Sequence, residues 1–77
     1  MTYHTLRAVQ IMEFAAQDVA YDILQRIIPM FSVSERVRLE QEFAAMSDLD
    51  MDEAFNGAKL SDPLVRRFTE TVRGRLA

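Results

Sequence analysis

The 77-residue chain contains no cysteine, which excludes a disulfide framework and a thiolate zinc site. Its one histidine, His4, has no second imidazole with which to share a metal ion. Its two glycines, Gly57 and Gly74, lie too far apart to build a glycine-rich phosphate-binding loop. We therefore predict that the protein binds neither a metal ion nor a cofactor.

Long hydrophobic runs are also missing. No segment approaches the roughly 18 consecutive apolar residues that a membrane-spanning helix requires. No lysine or arginine precedes Arg7, and the N-terminal region lacks the apolar core and small-residue cleavage site of a secretory signal. Together with the absence of cysteine, these features predict a cytoplasmic protein that does not act at a membrane.

The composition is that of a folded protein, because 49% of the residues are hydrophobic and 27% are charged. The length predicts a single domain over residues 1–77. A chain of this size buries only about 60–65% of its extended surface, so it gains stability from a partner or from a second copy. Strand-like alternation of apolar and polar residues is absent, which predicts an all-α fold.

The longest periodic segment predicts one unbroken helix over about residues 5–28. Thr2 or Thr5 can cap its start, and Pro29 ends it because proline lacks an amide proton and restricts the preceding residue. Steps of three and four residues place its apolar side chains in one buried stripe: Val9, Met12, Ala16, Val19, Ala20, Ile23, Leu24, Ile27 and Met30.

Three shorter helices follow, over about residues 33–46, 51–56 and 63–75. Ser32 and Glu35 form a capping box before the first of them. Asp50 caps the second, which Leu49, Met51 and Phe55 attach to the core and which ends at Asn56-Gly57. Asp62-Pro63 starts the third, whose apolar stripe is Leu64, Val65, Phe68, Val72 and Leu76. We predict a small bundle of three main helices plus one short helix.

Charge is unevenly distributed along the chain. The net charge is −1 over residues 1–31, −5 over 32–62 and +3 over 63–77, and the overall value is −3. The acidic group is Asp48, Asp50, Asp52 and Glu53. Its alternating aspartates begin like a calcium-binding loop, but Glu53 replaces the turn glycine and Lys59 replaces the bidentate glutamate. We interpret the group as helix capping or as a contact surface for a basic partner.

The predicted first helix carries apolar side chains on the side opposite its buried stripe. These residues are Ile11, Phe14, Tyr21 and Ile28, and the charged residues Arg7 and Asp18 lie among them. Such a face is covered by the rest of the chain, by a second copy or by a foreign partner. Aromatic side chains flanked by arginine and aspartate are typical of binding hot spots.

The favoured hypothesis is a non-catalytic interaction protein that binds a larger protein or nucleoprotein complex and inhibits or modulates it. By charge mimicry it would occupy a basic patch that binds nucleic acid. In size, acidity and simplicity the chain is similar to small phage-encoded inhibitors of host machinery, including anti-CRISPR proteins, although no residue motif underlies this likeness. The predicted partner-binding residues are Arg7, Ile11, Phe14, Asp18, Tyr21, Asp48, Asp50, Asp52 and Glu53.

Two alternatives stay open. A dimeric DNA- or RNA-binding regulator would use the C-terminal arginines Arg66, Arg67 and Arg73. Against it stand the pI of about 5.0 and the spacing of Arg66, Glu70 and Arg73, which predicts a salt-bridged, solvated ladder. A homodimeric assembly factor is the second alternative. We do not expect an enzyme, because helix caps and turns account for the serines and no histidine lies near any of them in the sequence.

Overall fold

The computed structural model describes residues 3–13, 17–57 and 60–76, and for residues 17 and 18 it describes the backbone alone. This part of the chain is helical and contains no strand, which confirms the all-α prediction. Its five α-helices are α1 (Tyr3–Glu13), α2 (Gln17–Ile27), α3 (Val33–Ala44), α4 (Asp48–Phe55) and α5 (Pro63–Leu76). A 3₁₀ helix, Ile28–Met30, follows α2 and contains Pro29. None of the described helices is long and apolar enough to cross a membrane.

The prediction of one helix over residues 5–28 is wrong, because α1 and α2 are separate helices that pack against each other. A helix of that length would be about 35 Å long. The molecule measures 28 × 26 × 20 Å, so the ends of such a helix would lie beyond the other helices without cover. Two shorter helices allow both apolar stripes to reach the same core.

The core is formed by apolar side chains from all five helices. α1 also contacts α3 and α4, and α5 contacts α2, α3 and α4. Phe68 lies at the centre, with its ring 5.7 Å from that of Phe31 and 5.4 Å from that of Phe43. The buried apolar residues are Ala8, Val9, Met12, Ala20, Ile23, Leu24, Ile27, Phe31, Leu39, Phe43, Met51, Ala54, Leu64, Val65, Phe68 and Val72.

Four residues that were predicted to be buried are exposed. Val19 lies at the edge of the buried face of α2, which centres on Ala20, Ile23, Leu24 and Ile27. Met30 is exposed because it follows Pro29 in the 3₁₀ helix, where the helical period that placed it in the stripe has ended. Leu76 is partly exposed at the last residue of α5, and Leu49 is exposed on α4.

Local capping motifs explain where α3 and α5 begin. The Ser32 hydroxyl accepts from the Glu35 amide at 3.2 Å, and Glu35 Oε1 accepts from the Ser32 amide at 2.9 Å. Asp62 Oδ1 accepts from the amides of Leu64 and Val65 at 2.8 and 3.2 Å. Both predicted caps are confirmed, and each satisfies amides that lack an intrahelical partner.

The predicted cap of α4 is one turn too late. Ser47 is the N-cap: its hydroxyl accepts from the Asp50 amide, and Asp50 Oδ2 accepts from the Ser47 amide, both at 3.1 Å. Asp50 is therefore the third residue of the helix and not its cap, which makes α4 longer at its start than predicted. The helix ends as predicted before Gly57, whose φ of 91° lies in the left-handed region that favours glycine.

A carboxylate of α3 closes the first turn of α1. Glu40 accepts from the amides of His4 at 2.7 Å and Thr5 at 3.0 Å, and from the Thr5 hydroxyl at 2.9 Å. Thr5 is thus a buried residue inside α1 and not its N-cap, and Thr2 lies outside the described residues. These long-range bonds fix the direction of α1 against α3.

Candidate interaction surface

The outward side of α4 carries an exposed leucine among carboxylates. Met51 and Ala54 are buried, and at 100° per residue Leu49 lies on the opposite side of the helix from Met51. Leu49 is 65% exposed, which corrects the prediction that it attaches α4 to the core. We define the acidic surface as Asp48, Leu49, Asp50, Asp52 and Glu53. Its apolar centre is Leu49, with Glu53 one helical turn further along.

The carboxylates of the acidic surface differ in what they contact. Asp48 forms an ion pair with Arg7 at 2.6 Å, and Asp50 accepts from the Ser47 amide. Asp52 is half-buried, and its Oδ1 is shielded from solvent without a hydrogen-bond partner. Glu53 is exposed, and within the described part of the chain no cation lies within 4.0 Å of Asp50, Asp52 or Glu53. Three of the four carboxylates thus have no ion-pair partner among the described residues.

Arg7 belongs to this acidic surface. Its Nη1 contacts Asp48 Oδ1, and its Nη2 donates to the Met46 carbonyl at 3.5 Å, so it connects α1 to the start of α4. Tyr3 lies one helical turn before Arg7 on the same side of α1 and is 68% exposed. The structure therefore places Arg7, predicted in a separate group, against the acidic surface.

The other predicted partner-binding residues do not form one exposed face. Ile11 is half-buried and packs against the core, as Ile28 does. Tyr21 is 52% exposed on α2, and the exposed Val19 lies on the opposite flank of that helix. Phe14 lies outside the described residues, and so does the side chain of Asp18. Arg7 is the predicted residue of this group that the structure shows in contact with the acidic surface.

The three arginines of α5 have different environments. Arg67 is held by the chain itself, because it pairs with Glu35 at 2.9 Å and its guanidinium lies 4.5 Å from the centre of the Phe31 ring. Arg66 and Arg73 line a cleft together with Glu70. The predicted salt-bridged ladder does not form among the described residues, since no ion pair joins Glu70 to either arginine. The structure therefore separates Arg67 from the other two.

The three alternating aspartates do not converge on one point. They lie within the α4 helix, where Asp48 and Asp52 share one side and Asp50 projects from another. Across residues 3–13, 17–57 and 60–76, no group of three or more histidine and acidic side chains is arranged to hold a metal ion. The structure favours capping and contact roles for these aspartates.

Three carboxyl groups titrate away from their ordinary values. A hydrogen bond from Arg38, assisted by the amides of Val65 and Leu64, lowers the pKa of Asp62. The Ser32 amide, followed by Arg67, lowers the pKa of Glu35. Burial raises the pKa of Glu13, whose two carboxyl oxygens are shielded from solvent without a hydrogen-bond partner. All three lie outside the acidic surface, so they concern stability and not the candidate contact.

Comparisons of the chain with known protein families, with curated proteins and with solved structures found no match. One member of the acidic surface, Leu49, was missed from the sequence. A signal for Leu49 existed, because Ser47-x-x-Asp50 is itself a capping pattern. A helix that starts at Ser47 has Met51 and Ala54 on one side and Leu49 on the other.

Proposed function

We propose that the protein is a non-catalytic interaction protein that docks on a basic surface of a larger protein or nucleoprotein complex through its acidic surface. The observation that carries the proposal is the exposed Leu49 at the centre of four carboxylates. Protein interfaces commonly have an apolar centre surrounded by a polar rim. Neither solubility nor the core requires a leucine at this exposed position.

The charge of the surface determines the chemistry of the partner. Arg7 offsets Asp48, and Asp50, Asp52 and Glu53 remain without a cation among the described residues. Opposite charges increase the rate of encounter and align the partner before apolar contact forms. A partner with a small apolar pocket bordered by lysine or arginine fits this surface. Because such basic surfaces often bind nucleic acid, docking there would inhibit by competition.

The test is capture of partners by the immobilised protein, compared across matched variants. Leu49→Lys and Glu53→Lys change the acidic surface at two exposed positions and leave the core and the Ser47 cap untouched. Val33→Lys and Glu70→Lys are the controls, because Val33 is an exposed apolar residue on α3 and Glu70 an exposed carboxylate on α5. We expect the first two variants to lose a captured protein that both controls retain.

A second readout separates this mechanism from nonspecific adhesion. Heparin is a polyanion that competes for basic surfaces, so adding it should release the captured partner. The proposal is contradicted if the acidic-surface variants and the controls capture the same proteins. A second contradicting result is a partner whose capture is lost in Leu49→Lys but is not reduced by heparin. The surface of that partner would then not be basic.

The structure gives less support to the nucleic-acid alternative. Arg67 is engaged by Glu35 and Phe31, and Glu70 places a negative charge between Arg66 and Arg73. The assembly-factor alternative depends on self-association, and the exposed Val19 and Tyr21 lie on opposite flanks of α2. Light scattering after size exclusion tests it directly, since a stable dimer would have twice the 8.9 kDa mass.

A further inference from the structure

A cleft between the end of α4 and the outward side of α5 is separate from the acidic surface. Its volume is about 330 Å³, and it is lined by Ala54, Gly57, Leu60, Arg66, Thr69, Glu70 and Arg73. We propose that this cleft binds a small organic anion, with its carboxylate or phosphate at the two guanidinium groups and its apolar body against the half-buried Leu60.

The arginines of the cleft have no carboxylate partner in the described part of the chain. Arg7, Arg26, Arg38 and Arg67 each form an ion pair within 4.0 Å, whereas Arg66 and Arg73 form none. The two lie seven residues apart, and therefore on the same side of α5. A guanidinium group binds carboxylate and phosphate oxygens through paired hydrogen bonds. Two such groups on one side of a helix are suited to a single anionic head.

Arg73 lies against the wall of the cleft that is formed by the end of α4. Its guanidinium lies 6.0 Å from the centre of the Phe55 ring, a favourable contact between a cation and an aromatic face. A Cβ atom at Gly57 would lie 3.9 Å from Arg73 Nη1, so the side chain passes close to the turn after α4. Because Gly57 has a φ of 91°, this turn has a conformation that other residues adopt only with strain.

The size and charge of the cleft limit the ligand class. A volume of about 330 Å³ is at the small end of ligand sites and suits a small molecule. Glu70 lowers the attraction for a polyanion and can accept a hydrogen bond from a ligand hydroxyl or ammonium group. The half-buried Leu60 provides apolar contact. The geometry therefore favours a small molecule with one anionic head over a nucleic-acid strand.

The test follows amide chemical shifts by NMR at low ionic strength during titration with phenyl phosphate. We expect saturable shifts at Gly57, Leu60 and Thr69, and weaker binding of inorganic phosphate, which lacks the apolar body. Benzylamine, which carries the opposite charge, should not bind. The Arg66→Gln/Arg73→Gln double variant should weaken binding by about tenfold or more, because it removes charged hydrogen bonds.

Two further variants make the assignment specific. Arg75→Gln is the matched control, because Arg75 also lies on α5 without an ion pair but outside the cleft, and it should bind phenyl phosphate as the unmodified protein does. Glu70→Gln removes a nearby negative charge and should strengthen binding about fivefold. A purely structural role for Glu70 would not produce that gain.

Several results would overturn the proposal. These are the absence of saturable shifts, equal binding of inorganic phosphate or benzylamine, and equal weakening by Arg75→Gln and the double variant. A short single-stranded oligonucleotide is the last probe. If it binds more tightly than phenyl phosphate and shifts residues along the whole of α5, that helix contacts nucleic acid and the small-anion assignment is wrong.

Discussion

α4 and α5 are consecutive in the chain and in contact, yet they differ in how they use their residues. α5 buries Leu64, Val65, Phe68 and Val72, whereas α4 buries only Met51 and Ala54 and exposes Leu49. α5 therefore contributes mainly to the core, and α4 mainly to the surface. The two helices therefore differ in how many apolar side chains they bury, and α4 is the one that leaves an apolar residue exposed among carboxylates.

Substitutions of core residues should produce the largest difference between the two helices in lost free energy of unfolding. Phe68→Ala in α5 should cost about 3–5 kcal/mol, because it leaves a cavity beside Phe31 and Phe43. Met51→Ala in α4 should cost about 2–4 kcal/mol. Urea denaturation measures both, and Phe68→Leu replaces Phe68→Ala if the latter does not fold. A larger loss at Met51 than at Phe68 would reverse the comparison.

Removing a helix cap should also reduce stability more in α5 than in α4, but the difference should be smaller than for the core residues. Asp62→Ala removes hydrogen bonds to two amides of α5 and the 2.5 Å contact with Arg38, so it should cost about 1–2 kcal/mol. Ser47→Ala removes one side of the capping box of α4 and should cost about 1 kcal/mol. Thermal melts of the two variants test this order. Equal losses would mean that the Arg38 contact adds nothing.

The Asp62 cap also predicts that stability falls in acid. Its pKa is lower in the folded protein than the ordinary 3.8, so its contribution is present above that value and is lost as the pH falls below it. Asp62→Asn should therefore flatten the acid side of a plot of melting temperature against pH.

Glu13 acts in the opposite direction, because its pKa is raised and its charged form is the destabilising one. Glu13→Gln removes this opposing contribution and should make the melting temperature fall more steeply in acid.

For Asp62→Asn, an unchanged acid slope of the melting temperature would show that the α5 cap does not depend on the charge of Asp62.

The smallest effect on folding is expected where we propose the largest effect on binding. Leu49→Ala and Glu53→Lys alter exposed side chains of α4 and should change the free energy of unfolding by no more than about 0.5 kcal/mol. The same urea experiment measures them. A loss above 1.5 kcal/mol at Leu49 would mean that its side chain is packed, and the acidic surface would lose its apolar centre.

Features set by neighbouring residues could be predicted from the sequence. Ser32 with Glu35, Asp62 with Pro63, and Gly57 all determine helix ends through contacts within a few residues. The error at α4 was a choice between two overlapping capping patterns, and it determined which side of the helix was expected to face outward. A one-turn error at the start of α4 thus hid the exposed Leu49.

Features set by packing could not be predicted in the same way. The sequence between α1 and α2 contains neither glycine nor proline, so local propensity favours a continuous helix. The structure has two helices, α1 and α2, because one long helix would extend past the core. The contacts of Arg7 with Asp48 and of Glu40 with His4 and Thr5 likewise join residues more than 30 positions apart. Such proximity has no signal in the local pattern.

The contact between Glu40 and α1 has a consequence for synthesis. The amides of His4 and Thr5 take their acceptor from a residue 36 and 35 positions later. A ribosome builds a chain from its N-terminus, so the first turn of α1 is synthesised before Glu40. Its hydrogen bonds to Glu40 form only after α3 has emerged from the ribosome. The start of α1 is therefore completed by a residue that is added later.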